Sequence, residues 1–205
     1  MVMDVGRGPT SISFPPPMPL CPGRSGSFMA WDAERLTGPD GDDWRVPVSE
    51  LEERRNRLAS ALAKAGLESA LIDDPVELYW LTGGRQNGMI LVGAEGSGVS
   101  NVHWVRKSLD RARFESGGDD APDSVVAQPR MSGLADALRA TGATRAPAML
   151  AGKIPHDRWA FFAGRLSSLG DTSDCTHLLY GLRETKSAWE LEMHRESGRI
   201  NRRMF

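Results

Sequence analysis

The amino-acid sequence predicts an α/β domain in which a mixed β-sheet is flanked by helices. Two observations lead to this prediction. From residue 44 onward, amphipathic segments of helical period alternate with short apolar segments that are typical of buried strands, and such alternation favours a sheet covered on both faces. In addition, residues 89–92 and 99–105 flank the glycine-rich segment 93–98, which is the pattern of a β-hairpin.

The first helix is predicted over residues 49–65. Leu51, Leu58 and Leu62 form its apolar stripe, and a glycine follows its last residue, as is common where a helix closes. Ser49 begins a Ser-x-x-Glu sequence, the pattern of a capping box, in which serine and glutamate each bond the other's backbone N–H. The helix is therefore expected to begin at Ser49.

A short buried strand is predicted over residues 70–72, where three apolar residues stand together. A short helix is expected to follow over residues 75–82, because it begins with a proline, which suits the first helical turn. Asp73 and Asp74 precede that proline. Two adjacent carboxylates at this place favour capping of the helix over binding of a metal ion.

The rest of the chain repeats the same alternation. Helices are predicted over residues 108–114, 131–140, 155–169 and 176–183, and strands over residues 125–126 and 147–151.

A last helix is predicted to begin near Ser187, because Ser187 and Glu190 form a second capping box. An apolar stripe of helical spacing follows it, with polar residues between its members: Trp189, Met193, Ile200 and Met204. The sequence ends at Phe205 before any glycine, asparagine or proline that would stop this helix. The stripe is therefore expected to cover, or be covered by, another surface.

Residues 1–43 differ from the remainder in composition. They are dense in proline, glycine and serine, and their few apolar residues have no period. Such a segment buries too little surface to offset its ordering entropy, which predicts a disordered tail. The triple proline at residues 15–17 also fits a polyproline ligand, although disordered filler is the favoured interpretation.

Charge and cysteine content exclude several classes of protein. The formal net charge is −2, which provides no electrostatic attraction for nucleic acid or an anionic membrane. The two cysteines, Cys21 and Cys175, lie far apart and do not suggest a disulfide framework. There is no apolar run of membrane-spanning length and no signal-peptide pattern. We therefore expect a cytoplasmic protein that binds neither nucleic acid nor membrane.

The sequence contains no evident catalytic or metal-binding motif. Cys175 and His177 form a Cys-x-His pair, but no second pair with metal-ligand spacing accompanies it. The glycine-rich segment 93–98 joins strand to strand, whereas a phosphate-binding loop joins a strand to a helix. We therefore predict no catalytic residue, no metal ligand and no cofactor site in this chain.

Five segments in order resemble the N-terminal domain of the creatinase, prolidase and aminopeptidase P family of metallopeptidases. The two most specific are Tyr-Trp-Leu-Thr-Gly at residues 79–83 and Leu-Arg-Glu-Thr-Lys-Ser-Ala-Trp-Glu-Leu at residues 182–191. The resemblance covers residues 46–205. It implies a mixed sheet with helices, similar to a ribonuclease H-like fold, that is not the catalytic part of the enzyme.

In that family a following domain cleaves the bond before proline, using two metal ions held by two Asp, one His and two Glu. No position of this sequence corresponds to any of these ligands, so the chain alone is expected to be inactive. The resemblance divides the sequence into the tail at 1–43, the family domain at 44–185 and, at 186–205, the start of a linker helix into an absent catalytic domain. On this interpretation Trp189, Met193, Ile200 and Met204 pack on that domain.

The resemblance also implies a homodimer, in which a loop of the N-terminal domain approaches the active site of the neighbouring subunit. Arg85, Gln86 and Asn87 are the candidates for such a substrate gate. The alternative interpretation is that Gly83, Gly84 and Arg85 only turn the chain toward the hairpin.

Three functional hypotheses remain open at this point. The favoured one is the non-catalytic N-terminal part of a Xaa-Pro peptidase, which serves oligomerisation and substrate gating. The second is a stand-alone, non-enzymatic binding or dimerisation module derived from the same domain. The third, an unrelated α/β enzyme such as a nucleotide-dependent transferase, is disfavoured because the sequence contains no phosphate loop.

Overall fold

The structure is a computed structural model that describes residues 44–120 and 124–204, except for the side chain of Asp119. The tail predicted over residues 1–43 lies outside the described residues. The helices are α1 (Val48–Lys64), α2 (Pro75–Thr82), α3 (Leu109–Glu115), α4 (Leu134–Ala140), α5 (His156–Leu166), α6 (Thr176–Glu184) and α7 (Ala188–Met204). The strands are β1 (Ser69–Ile72), β2 (Gly88–Gly93), β3 (Val102–Val105) and β4 (Val125–Ala127).

The four strands form one sheet in the order β1-β2-β3-β4. Strand β2 is antiparallel to both β1 and β3, whereas β4 runs parallel to β3. The predicted mixed sheet and its hairpin are thus confirmed. Because β1, β3 and β4 all point the same way, their carboxyl ends meet at one end of the sheet, where β2 begins.

Adjacent residues of the central strands supply two separate cores, since successive side chains of a strand point to opposite faces. Ile72 and Ile90 pack with leucines of α1, α2 and α6 on one face. Leu71 and Leu91 pack with α4 and α5 on the other face. Both faces of the sheet are therefore covered, as the short all-apolar strand segments predicted.

Two glycines allow the hairpin strands to approach closely. A Cβ atom at Gly88 would lie 2.1 Å from the carbonyl oxygen of Trp104, and one at Gly93 would lie 2.2 Å from that of Val99. Both neighbours are backbone atoms that cannot move aside without distorting the hairpin. The segment after Gly93 is a turn between strands, as predicted.

The beginning of α1 differs from the prediction. The helix begins at Val48, and Pro47 at the N-cap position has no side chain that could make a capping bond. The backbone N–H of Leu51 donates to the carbonyl oxygen of Pro47 at 3.1 Å, which places Ser49 inside the helix. The predicted capping box of Ser49 and Glu52 is therefore wrong.

The predicted strand over residues 147–151 is also wrong. Ala148 forms only an isolated parallel bridge with Ala70, and Met149 forms one with Asp174. The backbone of the segment bonds β1 only at Ala148, whose N–H donates to Ser69 and whose carbonyl oxygen accepts from Leu71. Ala148, Met149 and Leu150 are nevertheless buried. Two predicted helices are shortened as well, because residues 131–133 and 167–169 adopt 3-10 geometry.

Asp74 caps α2, as predicted. Its side chain accepts hydrogen bonds from the backbone N–H groups of Val76 at 3.0 Å and Glu77 at 3.2 Å. Among the described helices, none combines the length and apolar character that crossing a bilayer requires.

Candidate functional site

The beginning of α7 is fixed to the body of the domain by Glu190. The predicted capping box is present: Glu190 N–H donates to Ser187 Oγ at 3.1 Å, and Ser187 N–H donates to Glu190 Oε2 at 3.0 Å. The second carboxylate oxygen, Oε1, accepts a hydrogen bond from Trp80 Nε1 of α2 at 3.0 Å. One carboxylate thus both caps α7 and joins it to α2.

Arg54 of α1 completes this contact. Its side chain is only 3% exposed, and its Nη2 atom lies 3.2 Å from Glu190 Oε1. This is an ion contact rather than an aligned hydrogen bond, because that N–H finds no acceptor in suitable geometry. The guanidinium also donates to the carbonyl oxygen of Trp80 at 2.9 Å and lies over the rings of Trp80 and Trp189, 5.3 and 5.5 Å from their centroids. We call Arg54, Trp80, Trp189 and Glu190 the anchor cluster.

The four residues of the predicted apolar stripe occupy different environments. Trp189 and Met193 are half-buried and line a cleft of about 440 Å³, together with Trp44, Val46 and Tyr79 of the same domain. Ile200 is 38% exposed and Met204 is 72% exposed. The first two residues of the stripe therefore pack near their own domain, whereas the side chains of the last two are exposed to solvent. We call this cleft the helix cleft.

The predicted gate residues, Arg85, Gln86 and Asn87, form a short loop between α2 and β2 that we call the gate loop. Glu115 at the end of α3 holds it in place. The Glu115 carboxylate accepts from the backbone N–H of Arg85 at 2.8 Å and from Gln86 Nε2 at 3.1 Å. The other end of the loop is tied to the sheet, because Arg106 N–H donates to the carbonyl oxygen of Asn87 at 2.8 Å.

The carboxyl groups of Glu115 and Glu190, which hold the gate loop and α7, both have a lowered pKa. Burial alone would raise the pKa of Glu115, but hydrogen bonds from Arg85, Arg111 and Gln86 outweigh it, so the pKa is lowered. The pKa of Glu190 is lowered in the same way: burial opposes ionisation, while the Ser187 N–H, Arg54 and Trp80 favour it. Both groups are therefore anions that the fold depends on at neutral pH.

A second cleft, of about 700 Å³, lies where β1, β3 and β4 end and β2 begins. We call it the strand-end cleft. It is lined by the gate loop, by Asp73, Pro75 and Leu78 next to β1, by Gly88 and Met89 of β2, by Arg106, Gln128 and Met131, and by Asp157, Arg158, Phe161 and Phe162 of α5. Arg85 lines the helix cleft as well, so the gate loop and the beginning of α7 are neighbours.

The sequence alone did not identify the residues that hold α7 and the gate loop in place or those that line the strand-end cleft. Arg54 and Glu115 belong to segments rich in charged residues, which are ordinarily solvated, yet each is buried. Arg106 stands far in the chain from the adjacent pair Asp157 and Arg158, and only the fold brings them to one cleft. The available signal was weak: Arg54 and Glu115 each lie four residues from an oppositely charged side chain, a spacing that exposed helices also use.

Within the described ranges, 44–120 and 124–204, no three or more His, Cys, Asp or Glu side chains are grouped so that they could hold a metal ion. Cys175 is buried at the N-cap position of α6, and its burial, followed by the nearby Asp174 charge, raises the pKa of its thiol to about 12. This cysteine is therefore an inert core residue.

The family comparison agrees with the resemblance in the sequence. Residues 54–185 match the model of the creatinase/prolidase N-terminal domain. No curated protein sequence matches the chain.

Several solved structures share the fold. The Xaa-Pro dipeptidase from Bacillus anthracis is 14% identical, and the match covers 69% of this chain and 38% of that chain with a TM-score of 0.57. The dipeptidase PepE from Mycobacterium ulcerans is 23% identical over 72% of this chain and 40% of that chain, with a TM-score of 0.56. The XXA-pro aminopeptidase from Streptococcus pyogenes is 18% identical over 66% of this chain and 98% of that chain, with a TM-score of 0.52. The chain thus spans well under half the length of the two dipeptidases.

Proposed function

Since this chain belongs to the creatinase/prolidase N-terminal domain family, we propose that it is the non-catalytic N-terminal domain of a metal-dependent Xaa-Pro peptidase. The observation that carries the proposal is the family match over residues 54–185, followed directly by a helix whose first turn is fixed to the domain by Glu190. A rigidly attached helix can set the orientation of whatever it leads into.

In this proposal α7 is the linker, and its stripe at Trp189, Met193, Ile200 and Met204 faces the catalytic domain. The exposure of Ile200 and Met204 supports this role, because apolar side chains of that size are rarely left open along one helix face without a partner. In this proposal the two-metal centre belongs to the catalytic domain. No chemical step is assigned to this chain.

We further propose that the domain forms a homodimer and that the gate loop lies at the neighbouring active site. The support is geometric. The loop backbone is held at both ends by Glu115 and Arg106, while the side chain of Arg85 is 56% exposed and available to a second molecule. A fixed backbone with a largely exposed cationic side chain is suited to orienting a ligand. The two distant cysteines agree with a cytoplasmic protein.

The first test is the intact mass of the polypeptide as its native cell produces it. We expect a mass well above the 22.4 kDa of this chain, with peptides that extend past Phe205. A second test assays the purified 205-residue chain against Xaa-Pro dipeptides with added Mn²⁺, Co²⁺ or Zn²⁺. We expect no hydrolysis, and hydrolysis that a chelator abolishes would overturn the proposal.

The gate is tested in the longer polypeptide that the mass measurement identifies. Arg85→Ala is expected to lower kcat/KM for Xaa-Pro substrates without changing the sedimentation coefficient of the dimer. Lys107→Ala, at an exposed position outside both clefts, is the matched control. Equal kinetics for the two variants would remove the gate from the proposal.

The second candidate function is a stand-alone binding or dimerisation module. It is favoured by the apolar side chains that α7 leaves exposed, Leu191, Ile200 and Met204. If the native polypeptide ends at Phe205, we expect the chain to self-associate in sedimentation experiments and Ile200→Glu to abolish the association. A monomer at all concentrations would contradict this second function.

A further inference from the structure

The strand-end cleft has the location of a ligand site. In open α/β sheets, ligands bind outside the carboxyl ends of the strands, where connecting loops diverge and leave a crevice. Here β1, β3 and β4 end at the cleft, and Asp73, Arg106 and Gln128 follow these three strands directly. A volume of about 700 Å³ lies within the range of small-molecule sites.

Apolar side chains make up part of the cleft wall. Met89 and Phe162 are buried beneath it, and Met131 stands at its side. Phe161 is 44% exposed and packs edge-to-face on Phe162, with ring centroids 5.6 Å apart. Aromatic rings and flexible thioethers form a surface that adapts to an apolar group.

Most charges in and beside the cleft are already compensated. Arg158 pairs with Asp73 at 2.7 Å. Arg85 lies 3.4 Å from Glu115. Because each pair joins a positive and a negative group, these residues lie in or beside the cleft wall but add little net charge to it.

Two further charges of opposite sign line the cleft, one on Arg106 and one on Asp157. The side chains of Arg106 and Asp157 are exposed, and in the described part of the chain neither has a hydrogen-bond or ion-pair partner. Arg106 follows β3 and its backbone N–H is bonded to the gate loop, so its position is fixed. Asp157 lies in the first turn of α5, so its backbone position is also fixed by the fold.

Neutral hydrogen-bonding groups line the same cleft. The side chain of Asn87 is exposed, and Gln128 uses only its Nε2 atom, in a contact to Met131 Sδ at 3.4 Å. The side-chain oxygen of Gln128 is therefore open for a ligand.

From these groups we propose that the strand-end cleft binds a zwitterion of amino-acid to dipeptide size that carries a large apolar side chain. Its carboxylate binds Arg106, its ammonium group binds Asp157, and its side chain lies on Phe161 and Met89. The proposed site is complete within this chain and does not depend on a catalytic domain or on peptidase activity.

The experiment titrates the 205-residue chain with L-phenylalanine, Phe-Ala, N-acetyl-phenylalanine and phenylalanine amide, followed by NMR chemical shifts and calorimetry. We expect saturable binding of the zwitterions, with shifts at Arg106, Asp157 and Phe161. Each blocked ligand, which lacks one charge, is expected to bind about tenfold or more weakly, because a charge-assisted hydrogen bond is lost. The comparison of L-phenylalanine with Phe-Ala distinguishes an amino-acid site from a peptide site.

Variants assign each charge. Arg106→Gln is expected to weaken the binding of L-phenylalanine and N-acetyl-phenylalanine but to leave that of the amide unchanged. Asp157→Asn is expected to weaken the binding of L-phenylalanine and the amide but to leave that of N-acetyl-phenylalanine unchanged. Arg202→Gln, at an exposed position on α7, is the matched control, and all three positions are exposed, so folding should be preserved. Equal binding of free and blocked ligands, no effect of either variant, or no saturable shift at millimolar ligand would overturn the inference.

Discussion

Replacing Glu190 by alanine should release α7 from the domain. The substitution removes an acceptor from Trp80 Nε1 at 3.0 Å, an ion contact with Arg54 at 3.2 Å and half of the capping box at Ser187. A hydrogen bond to a charged group contributes about 1.5–3 kcal/mol, and loss of a capping contact costs about 1 kcal/mol. Arg54 keeps Glu50 at 2.8 Å, so the larger penalty of an unpaired buried charge does not apply.

We therefore expect the α7 docking contact to weaken by about 3 kcal/mol. Hydrogen exchange is the direct assay, because it reports each amide separately. Three kcal/mol corresponds to a decrease of about 100-fold in the protection of α7 amides, whereas amides of β1 and β2 should change much less.

Two further variants make this result specific. Glu192→Ala, two residues away, removes only the exposed ion pairs with Arg195 and Arg199 and should change protection by less than about 0.5 kcal/mol. Glu190→Gln keeps an acceptor for Trp80 but loses the charge beside Arg54, so an intermediate loss is expected. If Glu190→Ala and Glu192→Ala gave the same α7 protection, the anchor cluster would not hold the helix.

Three other outcomes are expected. Glu115→Ala should destabilise the domain by about 2–4 kcal/mol in urea unfolding and increase amide exchange in the gate loop. The reason is that the Arg85 N–H and the Gln86 side chain lose their shared acceptor. The control Glu95→Ala, at an exposed position, should leave the stability unchanged. The pKa values of Glu115 and Glu190 are lowered in the folded protein, so these groups contribute stability that is fully present above the unfolded pKa of 4.5. This stability is lost as the pH falls through the lower, folded pKa. The unfolding free energy should therefore decrease below pH 4.5, and it should decrease less steeply in Glu115→Gln than in the unsubstituted chain. Cys175, whose thiol pKa is raised to about 12 by burial, should resist iodoacetamide at pH 8 in the folded protein and react in guanidinium chloride, as peptide mapping can measure; rapid alkylation in the native state would contradict its placement in the core.

The elements that the sequence predicted well share a local physical cause. The hairpin follows from alternating apolar segments around a glycine-rich turn, and the second capping box follows from two residues three apart that bond each other. The failure at Ser49 is also local in origin: the same Ser-x-x-Glu pattern occurs there, but the backbone bond from Leu51 to Pro47 begins the helix earlier. A motif specifies which bonds are available, and neighbouring backbone geometry selects among them.

The strand predicted over residues 147–151 failed for a different reason. Its apolar residues are buried as expected, but only Ala148 and Met149 form bridges, each with a distant segment. Burial can be predicted from composition, whereas pairing depends on which strand lies beside the segment.

The candidate site was predicted in part. The gate loop and the stripe on α7 were found in the sequence as separate features, and the structure brings Arg85 next to Trp189 and Met193 at the helix cleft. What holds them in place, Arg54 and Glu115, was not predicted, because a charged residue in an amphipathic helix is ordinarily solvated.

By itself, the sequence determined the class of the fold, the family, the near-neutral charge and most helix and strand positions, because these depend on composition and on contacts within a few residues. Only the tertiary structure decided that one carboxylate anchors α7 to both α1 and α2, and that Arg106 and Asp157 line one cleft without a partner among the residues that the structure describes. Those arrangements join segments far apart in the chain. Their free energy depends on burial and mutual distance, which no local pattern of residues encodes.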